Sequence, residues 1–100
     1  MVPGTTPLHI FTLPFNTDLI HSVRITYKQD KKIVLTKETT DILMNNNQMA
    51  VRLSQKETLL FANLVMVRVQ LHVLTTGGDA LVSNIKNVPS YVLLDRREIK

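Results

Sequence analysis

Leu64-Val65-Met66-Val67-Arg68-Val69-Gln70-Leu71-His72-Val73-Leu74 is the stretch whose reading decides the fold class of this chain. Val65, Val67, Val69, Leu71 and Val73 occupy every second position, with Met66, Arg68, Gln70, His72 and Leu74 between them. Successive strand residues point to opposite sides of a sheet, so five aliphatics share one side while Arg68, Gln70 and His72 face the other. The pattern predicts one long strand with a buried face and a wet one.

Similar alternation recurs on either side of it. Val23, Ile25 and Tyr27 alternate with Arg24, Thr26 and Lys28, and Ile33-Val34-Leu35-Thr36 follows the polar loop Gln29-Asp30-Lys31-Lys32, which predicts a hairpin. Asp41 to Met44 and Gln48 to Leu53 flank Asn45-Asn46-Asn47, and asparagine turns the chain because it tolerates left-handed backbone angles. Met49, Val51 and Leu53 form the inward side of that second arm. Ser54-Gln55-Lys56-Glu57 fits a capping box, so one helical turn is predicted to cross an end of the molecule. Thr75-Thr76-Gly77-Gly78-Asp79 is a turn, Ala80 to Val88 a further strand, and Pro89 ends it by removing a donor. Leu8 to Leu13, bracketed by Pro7 and Pro14, reads as an edge strand, where a missing amide does least harm. Tyr91 to Leu94 is a short apolar run before a charged end.

Seven to eight short strands with one helical turn predict an all-β fold: an antiparallel two-sheet sandwich, immunoglobulin-like in outline, with a small closed barrel as the alternative. The 100 residues fit a single domain spanning 1–100, in which 1–7 and 89–100 are candidate arms. An apolar fraction of 44% supports a packed core. No apolar run approaches the roughly eighteen residues that cross a bilayer, and the N-terminus lacks the basic start and unbroken apolar stretch of a signal peptide. A soluble, unprocessed protein is expected.

Chemistry is sparse. There is no cysteine, which excludes disulfides, zinc thiolates and thiol nucleophiles. His9, His21 and His72 are far from metal-ligand spacing and read as surface residues. Ser22, Ser54, Ser83 and Ser90 have no recognisable base or elbow around them, and the glycine pair lacks the lysine of a phosphate loop. Neither catalysis nor a cofactor is expected. The net charge of +4 suggests an anionic partner, and Lys28, Lys31 and Lys32 cluster around Asp30. A small cytoplasmic nucleic-acid-binding β-barrel is therefore the alternative function. Five aromatics that are not interleaved with a basic stripe count against it.

Motifs along the chain resemble a known family. Gly4-Thr5-Thr6-Pro7 with Phe11-Thr12-Leu13-Pro14-Phe15, then Tyr27-Lys28-Gln29 and Leu53-Ser54-Gln55-Lys56-Glu57-Thr58-Leu59, are similar to small phage and prophage structural proteins of Gram-positive bacteria. Val69 to Leu81 resembles that family's third block. The likeness covers roughly Gly4 to Ser83 and extends to the N-terminal domain of baseplate upper proteins and to proteins that accompany head fibres. Lys56 stands where the family tends to be acidic, His72 where it favours arginine, and the end after Val88 matches poorly. The resemblance implies an immunoglobulin-like sandwich in a virion, made in the bacterial cytoplasm and placed on the tail or baseplate or as a capsid decoration. It brings no catalytic or ligand residues with it.

The expected partners are other phage structural proteins and further copies of the chain, with neither membrane nor nucleic acid as the main reading. Tyr91, Val92, Leu93 and Leu94 are the candidate interface, rimmed by Arg96, Arg97 and Glu98; the same apolar run as a last core strand is the other reading.

Overall fold

A computed structural model describes residues 1–100. Its strands are β1 (Leu8–Thr12), β2 (Ile20–Gln29), β3 (Lys32–Glu38), β4 (Leu43–Asn45), β5 (Gln48–Arg52), β6 (Val67–Thr75), β7 (Ala80–Val82) and β8 (Lys86–Val88), with one helical turn, α1 (Gln55–Thr58). Single 3-10 turns lie at Thr17–Leu19 and Thr39–Asp41. One sheet has the order β1-β5-β4. The other runs β3-β2-β6, with β7 and β8 both pairing the far side of β6. All pairs are antiparallel. The two sheets share no strand, so the chain is a sandwich and not a closed barrel.

The centre is the β2–β6 ladder, where Val23 faces Val73, Ile25 faces Leu71, Tyr27 faces Val69 and Gln29 faces Val67. All eight are buried. Phe11 on β1 and Met49 and Val51 on β5 close over them from the other sheet. Each such aliphatic or aromatic side chain contributes roughly 1.5–3 kcal/mol by leaving water. On the opposite face of β6, Arg68 and His72 are exposed and Gln70 is half-buried, in line with the predicted register.

Several boundaries differ from the sequence reading. The stripe begins at Leu64, but β6 begins at Val67: Leu64 takes a left-handed φ of 61° and turns the chain. Leu64 to Met66 are therefore not strand, and Val65 is only half-buried. Ala80 to Val88 is two strands, because the Ser83 hydroxyl accepts the Leu71 amide at 2.9 Å where a ladder carbonyl would otherwise stand. The β2–β3 loop is tighter than predicted. Gln29 and Lys32 pair, leaving Asp30-Lys31 as the turn with Asp30 at φ 52°. Asn46, at φ 53°, makes the β4–β5 turn as expected. The Ser54 capping box is complete, with Ser54 Oγ accepting from the Glu57 amide and Glu57 Oε1 accepting from the Ser54 amide.

Candidate docking surface

The chain between α1 and β6 is held by side chains from elsewhere. Gln29, at the buried end of β2, donates from Nε2 to the carbonyls of Ala62 and Val65 and accepts the Ala62 amide, at 2.8–3.0 Å. A buried amide satisfied at both ends fixes a loop that has no ladder of its own. Phe61 is fully buried and meets Tyr27 edge-on at 5.9 Å.

Residues 89–100 run alongside this loop. The Leu64 amide donates to Ser90 O, Ser90 Oγ to Ala62 O, and the Leu93 amide to Asn63 Oδ1. Tyr91-Val92-Leu93-Leu94 forms no strand; it is an extended coil laid on the loop and on the N-terminal segment. Met1 accepts the Tyr91 amide and its ammonium donates to Pro89 O. Both candidate arms are thus joined to each other and to the sandwich.

Arg96 is exposed but reaches back to the neighbouring loop, where its guanidinium donates to Leu59 O, Phe61 O and Asn63 Oδ1 at 2.6–2.9 Å. It thereby satisfies carbonyls that α1 leaves open past its last turn. Arg97 faces outward in a bidentate pair with Asp95. That contact draws the Asp95 carboxyl below its ordinary pKa and lifts the Arg97 guanidinium above its own. Glu98 is half-buried.

The backbone is therefore tied down while its apolar side chains stay out. Leu94 is 95% exposed, and Tyr91 and Val92 about half. Leu60, Leu64 and Met66 on the adjoining loop are also exposed. Only Leu93 turns in, against Gly4, whose φ of 83° lets the chain pass beneath it. An open groove of about 660 Å³ lies between Gly4, Gln55 and residues 92–99. Contiguous apolar surface of this kind marks contact sites.

His9 corrects another expectation. It lies on the inner side of β1, half-buried, with Nδ1 2.7 Å from the Tyr27 hydroxyl. Burial first, then the Met1 ammonium, hold its pKa below the usual value. Burial, with the Glu57 carboxylate adding, keeps the Tyr27 phenol protonated. The hydrogen bond shared by the Tyr27 hydroxyl and His9 Nδ1 is a structural bond across the sandwich. The phase of β1 carries the missed signal: His9 shares it with Phe11 and Leu13, both buried.

Nowhere do three or more of His, Asp and Glu come close enough to hold a metal ion, and no helix is long and apolar enough to cross a membrane. Of the basic side chains, Arg24 pairs with Glu38, Lys37 with Glu57 and Arg97 with Asp95, while Arg96 is spent on carbonyls. Comparisons with protein families, curated proteins and solved structures find no match to this chain.

Proposed function

We propose that this chain is a non-enzymatic structural protein of a bacteriophage or prophage particle, an accessory head or tail/baseplate component that docks onto other particle proteins. The observation that carries the docking is the rigid presentation of Tyr91, Val92 and Leu94 beside Leu60, Leu64 and Met66. An apolar segment whose backbone is already hydrogen-bonded loses little entropy on binding, so its area converts efficiently into affinity. The resemblance of Gly4–Pro7, Leu53–Leu59 and Val69–Leu81 to phage structural proteins supports the particle setting. Arg97 and Asp95 border this patch as a solvated pair.

The test is incorporation into virions. Leu94→Asp alters a side chain that touches little of its own chain, so folding and melting temperature should match the parent. Immunoblots of purified particles should then show the variant depleted at least about tenfold, as burying an unpaired carboxylate in a contact requires. Deleting 91–100 should give the same depletion. Undiminished incorporation of a folded Leu94→Asp protein would overturn this reading.

A further inference from the structure

The sandwich has four sheet edges, and three are guarded. On β3 the register slips at Val34, and Lys32, Lys37 and Glu38 bring charge, Lys37 pointing inward. β4 is three residues long. The β7–β8 edge is broken between Val82 and Lys86. Bulges, short strands and inward charges are the devices that stop sheets from adding foreign strands. The β1 edge has none of them. Leu8–Thr12 pairs β5 in unbroken register, contains no formal charge and no proline, and exposes Leu8 and Ile10.

Ladder geometry says which groups are free. The Leu53 amide donates to Pro7 O and the Leu13 amide to Asn47 O. With the register Leu8↔Arg52 to Thr12↔Gln48, these place residues 7, 9, 11 and 13 in hydrogen-bonded pairs with β5. The amides and carbonyls of Leu8, Ile10 and Thr12 therefore point away from β5. No loop backbone meets them; open clefts of about 260 and 280 Å³ separate the strand from β6 and residues 83–88 of the other sheet, with the Lys86 ammonium over the Phe11 ring.

We propose that β1 is a self-association edge, pairing antiparallel with β1 of a second copy about a twofold axis through Ile10. The free groups are disposed symmetrically about that residue. Leu8 then faces Thr12 of the second copy, Ile10 faces its own counterpart, and every free amide and carbonyl finds a partner. A closed twofold uses one patch twice and leaves no further edge open. The two three-stranded sheets become one of six strands, and Ile10 joins the row Leu43–Ala50–Ile10 to its copy. The pairing stands independently of the surface formed by residues 60–66 and 91–94.

Analytical ultracentrifugation of the full chain tests this. The expected result is a monomer–dimer equilibrium visible by roughly 100 µM, within reach of a small interface. Ile10→Pro removes an outward amide while sparing the β1–β5 ladder, and should abolish the dimer with the circular dichroism spectrum intact. Ile10→Lys and Ile10→Glu each set like charges opposite one another across the axis, and should weaken association by about tenfold or more. Mixing those two variants should restore it, which only a twofold through this position explains. A monomeric parent, or a dimer that tolerates Ile10→Pro, overturns the proposal.

Discussion

Lys37 on edge strand β3 reaches across the open end of the sandwich to Glu57 in α1, Nζ to Oε2 at 2.5 Å, with both side chains largely withdrawn from water. Glu57 thus serves twice, closing the capping box and neutralising the edge lysine. Glutamine at this position can keep the box but not the charge. Glu57→Gln should cost about 1–2 kcal/mol, because it strands a buried ammonium, whereas Lys37→Met should stay within about 1 kcal/mol. Urea denaturation of the two variants reads the difference; equal losses would show that the stranded Lys37 ammonium carries no penalty of its own.

Acid should loosen the fold in two stages. The folded pKa of His9 is depressed, so below the ordinary value of about 6.5 the unfolded chain binds a proton that the native state resists. For Glu57, burial acts upward, but the Lys37 ammonium and the Ser54 amide outweigh it and hold the carboxyl below the ordinary value. Both contributions are complete above the unfolded pKa and are lost as pH falls through the folded one. Stability should therefore decline from about pH 6.5 downward and again near and below about pH 4.5. His9→Phe should flatten the upper stage alone and Glu57→Gln the lower. Melting temperature against pH is the measurement.

Adjacent residues on β6 should behave oppositely. Val69 is buried against Tyr27, and Val69→Asp places an unpaired carboxylate there at a cost on the order of 4 kcal/mol or more. Arg68→Asp, on the wet face, should cost under about 1 kcal/mol. Similar thermal midpoints would mean the register is wrong.

Gly4 and Arg96 secure the last ten residues. A Cβ at Gly4 would stand 2.7 Å from Leu93 Cδ2, and its φ of 83° is strained for any other residue. Gly78 has a similar φ but open space around it. Gly4→Ala should release the C-terminal segment to trypsin at Arg96 and Arg97, while Gly78→Ala should not. Arg96→Ala, which removes its own cleavage site, should release the segment to trypsin at Arg97 alone, and Arg97→Ala should leave the digestion pattern at Arg96 unchanged. Mass spectrometry of limited digests distinguishes them.

Local signals were the ones the sequence displayed. The Ser54–Glu57 box, the Asn46 turn and the alternation of β6 depend on residues within a few positions of one another. Lys37 gave no such sign: its partner is twenty positions away, and only the sheet edge turns it inward. Gln29 looked like loop because its hydrogen-bonding partners, Ala62 and Val65, lie beyond three further strands. The apolar stripe ran on through Leu64, where the backbone reverses, since periodicity reports side-chain type and not φ. In the docking surface, Tyr91 to Leu94 were visible as unassigned apolar residues. Their lack of a strand, and the reach of Arg96 back to the loop, depend on groups some 35 residues earlier.

The hydrogen bond between Met1 and Pro89 spans 88 positions, which bears on the order of assembly. A contact so distant in sequence returns nothing until most of the chain has been drawn together, so it closes after the β2–β3 and β4–β5 hairpins. Residues 91–94 are tied on one side to the loop that carries Asn63 and Leu64, but the other side of their seat, Met1 and Gly4, is completed only at that closure. A partly folded chain consequently holds them on half a seat, and the ability to engage a partner matures with the last step of folding.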